Sequence, residues 1–268
     1  MKPWVLKVIS TELRKILAYR SDFWINFIGQ MLIQLFIARA LWGAVFEANN
    51  VSEMKGLTLD KMTLYYLLAP LIMKTMMGEN IGFLAREIYD GGINRYLVWP
   101  LKALQYKSLT FMTYSIFYLV QLNLMYVIAR LIFDPTPYSL VDFTNALMGS
   151  GLILLASYTY FYLMSLCEMV AFWADNTWTL SVMMRFVASF LGGAFLPLSF
   201  FPDSLVPMLK LLPFQAMIST PVNLYLGRAN SSDALAAVVT LFVWLPALYL
   251  LSRLMWRKAS YHYTGVGM

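Results

Sequence analysis

The sequence predicts an all-α integral membrane protein with six transmembrane helices, an N-terminal interfacial helix and a re-entrant helical hairpin between the fifth and sixth spans. Three observations carry that expectation. Of 268 residues, 60% are hydrophobic and only 13% charged, with a mean hydropathy of +0.64, where a soluble domain carries roughly 25% charged residues. The apolar residues fall in blocks close to the ~20 residues that cross a bilayer core. Little sequence is left outside the blocks, so residues 1–268 read as one transmembrane domain.

The chain opens on MKPWVLKVISTELRKILAYRSD. At helical period Trp4, Val5, Ile9, Leu13, Ile16 and Leu17 gather on one side, and Lys2, Lys7, Arg14 and Lys15 lie elsewhere. That pattern predicts an interfacial helix over 1–22. An uninterrupted apolar core and a small-residue cleavage site, the marks of a cleaved signal, are missing. Spans are expected over 23–46, 62–84, 109–133, 145–167, 179–196 and 234–251. The third stops at DPTPYS, whose two prolines break a helix. Between Pro197 and Pro221 five prolines interleave with Leu, Phe, Met and Val. This stretch is too broken for a straight span and too apolar for a free loop. Backbone of that kind is tolerated at membrane depth only where protein or water covers it. Short helices dipping in and returning over 197–221 are expected, an amphipathic surface loop being the alternative.

Six spans place both termini on one side, and the basic residues choose which. Twelve lysines and arginines precede the first span, follow the second and follow the sixth, against five on the opposite side. Both termini and the 82–101 loop are therefore expected in the cytoplasm, with the chain in the cytoplasmic (inner) membrane. The charge of +6 is a topology signal; anionic headgroups of membrane lipids are its expected partner, and nucleic acid is not.

Catalytic signals are missing from the sequence. Neither Gly91-Gly92 nor Gly192-Gly193 belongs to a GxxxxGK[ST] phosphate loop, and HExxH and GxSxG do not occur. Cys167 and His262 are single and far apart, so neither a disulfide nor a metal cluster is expected. The expectation is a protein that is not an enzyme and binds no cofactor itself. Polar residues inside spans are costly and mark function. Asn26, Gln30 and Gln34 recur every four residues, Arg39 lies farther along the same span, and Lys74 sits deep in the second. These are the candidate substrate-path residues; a subunit interface or interhelical hydrogen bonding, worth about 0.6 kcal/mol, would use the same residues. Arg185 reads as a side chain snorkelling to the headgroups. Tyr158, Tyr160 and Tyr162 read as alternating around their helix, hence as packing.

The segment AREIYDGGINRYLVWPLKALQYKS resembles the cytoplasmic loop after the second span in type-2 ATP-binding-cassette exporter permeases. The resemblance rests on Arg86, Glu87, Ile88, Gly92, Asn94, Arg95, Tyr96, Leu97, Pro100 and Leu101. GGAFLPLSFFPDSLVPMLKLLPF (192–214) is similar to that family's proline-rich element before the last span. Trp99 departs from the pattern, which commonly has a basic residue before Pro-Leu. The resemblance implies a permease that pairs with a second permease chain, identical or related. It also implies two separate cytoplasmic ATPase subunits carrying ATP and magnesium, and an exported lipid, lipid-linked or amphiphilic substrate. The short helix about 82–90 is implied to dock on the ATPase, with Phe83, Ile88 and Tyr89 as apolar anchors and Arg86, Glu87 and Asp90 as charges. A non-transporting membrane scaffold that binds partners through the same loop is the alternative reading.

Overall fold

A computed structural model describes residues 3–78, 83–99, 102–133 and 140–262. Glu79, Gly82, Pro100, Leu101 and the DPTPYS break lie outside the described residues. Helices dominate: α1 (Pro3–Ala18), α2 (Arg20–Ala48), α3 (Leu59–Met77), α4 (Phe83–Tyr89), α5 (Asn94–Val98), α6 (Ala103–Phe133) and α7 (Leu140–Met169). After them come α8 (Trp178–Leu191), α9 (Val206–Leu211), α10 (Pro213–Met217), α11 (Ser219–Tyr225) and α12 (Ser231–His262). A two-stranded hairpin, β1 (Glu53–Met54) with β2 (Leu57–Thr58), lies in the α2–α3 loop.

Among the described residues four helices are long and apolar enough to cross a membrane: Arg20–Ala48, Ala103–Ile132, Asp142–Phe172 and Ser231–Ser260. The helices at the second and fifth expected spans fall short of that mark. The second ends at Met77, short of the expected Leu84, because Gly78 takes φ +64 and closes α3 with its N–H on Lys74. Gly78 with the following Glu79, Asn80 and Gly82 was the sequence signal for this stop. α3 carries Asp60, Lys61 and Lys74 and lies packed between α2, α6 and α7. The fifth, α8, has 14 residues, about 21 Å of helix, and stops before the expected Leu196. Its end is set by Gly192-Gly193. A Cβ at Gly192 would stand 2.5 Å from the Ala188 carbonyl oxygen and 3.0 Å from that of Phe214. Gly193 turns the chain at φ +86, and its carbonyl accepts the Tyr65 hydroxyl at 2.6 Å.

α7 is the enclosed centre of the bundle, packing on α3, α6, α8, α11 and α12. Ile153, Ala156, Tyr160, Phe161 and Tyr162 are all buried. Tyr158 and Tyr162, expected to point apart, share a face with their hydroxyls 3.1 Å apart, since residues four apart are helical neighbours. Over 197–221 the chain forms short helices. Pro207 opens α9 and Pro213 opens α10, positions where a missing N–H costs nothing. α10 and α11 are almost wholly buried against α7, α12 and α3, and α11 runs on to Tyr225.

α1 divides its apolar residues between two faces. Ile16 and the partly buried Val5 and Ile9 share the side that packs on α6, whereas Leu6, Leu13 and Leu17 are exposed on the adjoining side. Glu12 is buried on the packed side and holds Lys15 at 3.0 Å. That hydrogen bond raises the Lys15 pKa above its ordinary 10.5.

Candidate functional site

Gln30, Gln34, Lys74 and Arg185 meet in a groove of about 510 Å³ between α2, α3 and α8. The spacing of four puts Gln30 and Gln34 on one face of α2. From α3, Lys74 brings its Nζ to 3.5 Å from Gln30 Oε1 and over the Tyr118 ring at 5.1 Å. Across the groove Arg185 reaches the end of α3, its Nη2 donating to the carbonyls of Met77 and Gly78 at 3.4 and 3.5 Å. A cation there satisfies orphan carbonyls and opposes the negative helix end. Arg185 is thus turned into the protein, not outward to headgroups as its sequence position suggested. Pro70, Met73, Met77 and Phe195 supply the apolar wall. Among the described lining residues there is no carboxylate. A groove with cations and amides on one side and apolar surface on the other suits a molecule with both characters.

The remaining two path candidates lie elsewhere. Asn26 lines a separate groove of about 360 Å³ with Lys15, Tyr19, Asp22 and Tyr114, where α1 meets α2 and α6. Arg39 is paired with Asp60 at the start of α3.

The other candidate region is α4–α5. Phe83 stacks on Phe161 of α7 with ring centres 5.8 Å apart. Leu84, Ala85 and Ile88 are buried with Ile93, Tyr96, Leu104 and Met169 in a small core of their own. Tyr89 donates to the Ala174 carbonyl at 3.0 Å. The three apolar residues named as docking anchors therefore hold α4 to its own chain. Arg86 and Asp90 are exposed.

Glu87 faces inward. Its Oε1 accepts from Arg95 Nη2, from Lys107 Nζ at 2.8 Å and from the Tyr96 hydroxyl at 3.4 Å. Burial pushes the Tyr96 phenol well above its ordinary pKa, so it stays a donor. After α4 the chain turns at Gly91, φ +68, and Ile93 N–H closes on the Glu87 carbonyl at 3.0 Å.

Two residues of this region escaped sequence reasoning. Glu168, fully buried in the last turn of α7, accepts the Leu84 amide at 2.7 Å across 84 residues of sequence. Lys107, with 13% of its side chain exposed, anchors Glu87 to α6. The one available signal for Glu168 was an acid directly after a long apolar run, which reads equally well as a loop residue. Among the described residues no group of three or more His, Cys, Asp or Glu side chains could hold a metal.

No curated protein and no solved structure matches the chain. Residues 30–267, most of the chain, match the family described as ABC-2 family transporter protein. They take in Gln30, Gln34, Lys74 and Arg185 of the larger groove and the α4–α5 segment, but not Asn26. Its members are transport permeases, generally the non-catalytic membrane component associated with an ATP-binding-cassette ATPase. The chain, a multi-pass helical membrane protein, belongs to the ABC-2 family of transporter proteins.

Proposed function

We propose that this chain is the transmembrane subunit of an ATP-driven exporter that moves a lipid, lipid-linked or amphiphilic substrate across the cytoplasmic membrane. The observation that carries the reading is the convergence of Gln30, Gln34, Lys74 and Arg185 from α2, α3 and α8 in one groove. That groove touches the α3 terminus at Gly78, the last described residue before α4. In this reading α3 and α8 complete six spans, both termini and α4–α5 face the cytoplasm, and α10–α11 form the re-entrant element. A second permease chain, identical or related, completes the pathway. The sequence has no phosphate cradle, so ATP and magnesium are assigned to the partner ATPases and no step here runs through them.

This chain's own residues would transmit the stroke. Force on the exposed Arg86 and Asp90 passes into α7 through Glu168 and the Phe83–Phe161 stack, and into α6 through Glu87 and Lys107. A rigid knob tied at several points can move two spans together.

Two experiments test the reading. Co-purification from native membranes should bring an ATPase with the chain, and reconstituted vesicles should move an amphiphile only with ATP. A chain that purifies alone, with transport indifferent to ATP, is the scaffold instead. Lys74→Gln with Arg185→Gln should lower substrate-stimulated ATP hydrolysis at least tenfold while the complex still assembles; unchanged stimulation removes the groove from the pathway.

A further inference from the structure

A second cavity, of about 350 Å³, opens among the N-terminal end of α6, α5, α7 and the C-terminal part of α12. Lys102, Arg253 and Arg257 line it together with Gln105, and its walls are aromatic. Tyr96 and Trp99 meet edge to face at 5.9 Å, and the Arg253 guanidinium lies 5.7 Å from the centre of the Tyr249 ring. Lys102, Arg253 and Arg257 are exposed. No carboxylate is among the described lining residues, and none of these three cations takes part in a described salt bridge.

The height of the cavity follows from the sequence. α12 carries no charge from Ala234 to Ser252, and Arg253 is the first charge beyond that stretch. Residues at the end of an apolar length near ~20 stand at the headgroup level of a bilayer. Trp and Tyr rings concentrate at the same level. Next to the cations α12 exposes Leu250 and Leu251 and, farther into the uncharged stretch, Phe242 and Val243, an apolar track leading from the cations into the membrane-depth part of the helix. Three cations at the polar end of an apolar track complement a phosphate borne on acyl chains. A soluble anion has no use for the track.

We propose that this cavity binds the phosphate headgroup of an anionic membrane phospholipid. Arg253, Arg257 and Lys102 face the phosphate, Gln105 and the Trp99 indole meet the rest of the headgroup, and the acyl chains lie on Leu250 and Val243. The site is separate from the groove between α2, α3 and α8, and its placement at the membrane surface does not depend on which side is cytoplasmic.

The test titrates the detergent-purified full chain with short-chain phosphatidylglycerol, phosphatidylcholine and soluble glycerol phosphate, with bound lipid counted by native mass spectrometry. Phosphatidylglycerol should bind at least tenfold more tightly than phosphatidylcholine. R253Q/R257Q should abolish that preference and R253K/R257K keep it, with phosphatidylcholine binding equal in all three as the measure of an intact fold. If the glutamine pair does not fold, K102Q alone, at an exposed position, should weaken phosphatidylglycerol about fivefold, the worth of one cation at an anionic surface. Equal binding of the two lipids overturns the proposal, as does a preference that survives R253Q/R257Q or a phosphatidylglycerol affinity that K102Q leaves unchanged. Displacement of phosphatidylglycerol by an equal concentration of glycerol phosphate would assign the cavity to a free anion and overturn the lipid assignment.

Discussion

The bundle is interrupted twice by short helices, at α4–α5 and at α9–α11, and the two interruptions are held in opposite ways. The first adds ions to a small apolar core of its own: Glu87 with Lys107 and Arg95, and Glu168 on the Leu84 amide. The second is fastened by close approach and neutral hydroxyls. Tyr225 of α11 shares hydrogen bonds with Ser150 at 2.8 Å and Asn123 at 3.0 Å and packs edge to face on Tyr126 at 4.8 Å. Gly149 admits the Tyr225 ring so closely that a Cβ would stand 2.9 Å from it. At α4–α5 only Arg95 is substantially exposed; Glu87 and Lys107 are mostly buried against each other and Glu168 is buried on the Leu84 amide. In a dry interior charge pairs are costly to desolvate, and neutral donors with tight packing fix position at less cost. Under the proposed function the ionic element is the one that is pushed and the packed one stays.

The largest expected effect breaks the packed element. Gly192→Ala puts a methyl against backbone oxygens that cannot retreat and should cost about 3 kcal/mol, seen as a large drop in unfolding temperature in detergent. If stability is unchanged, the junction of α8 with α10 is looser than its geometry implies. Next, Glu168→Gln weakens the hold on α4 by about 2 kcal/mol, the scale of a hydrogen bond to a charged group. Its signature is local: faster hydrogen exchange in α4 with α10–α11 unaltered. A uniform rise in exchange would make Glu168 a general core residue.

Tyr225→Phe leaves Ser150 and Asn123 short of a partner and should cost about 1 kcal/mol, with α11 the first segment to exchange. Salt sharpens the contrast without a mutation. Between low salt and 1 M, where the screening length is about 3 Å, exchange in α4–α5 should rise and that in α10–α11 stay level. An equal response in both would erase the distinction. The smallest effect concerns α1. Because Lys15 has its pKa raised by Glu12, the pair contributes below pH 10.5 and is lost as pH rises through the folded value. Release of α1 from α6, followed by proteolysis in its first turns, should therefore increase only in strong alkali, and Lys15→Met should remove that dependence.

Arg86 and Asp90 offer the sharpest probe of coupling, since both are exposed and neither holds α4 in place. Reversal of both charges should uncouple ATP hydrolysis from transport with stability unchanged. The same reversal at Glu87 strips Lys107 and Arg95 of their partner and confuses folding with coupling.

Local chemistry made much of this readable. α2, α6, α7 and α12 follow from long apolar blocks, the α4 helix from its residues and the double glycine, and α9–α11 from their prolines. The Gln30–Gln34 face follows from helical period. Leu84 was assigned to a span although Gly78, Glu79, Asn80 and Gly82 stand between it and the apolar run, a local signal that the span prediction passed over. Where sequence reasoning missed otherwise, the deciding contact was distant in the chain. Arg185 looked like a snorkelling side chain because the α3 carbonyls it caps are 107 and 108 residues away. Glu168 looked like a loop residue because its partner is on α4.

The sequence by itself determined that the chain partitions into a membrane as helices, since hydrophobicity and backbone hydrogen bonding act residue by residue. It also determined where the chain must bend, since proline and glycine act on their own backbone. Only the tertiary structure decided that Lys74 and Arg185 share a groove, that Glu87 faces inward and that Lys102 meets Arg253. Side-chain charge has no address until packing sets the distance between helices, and electrostatic energy depends on that distance and on what fills it.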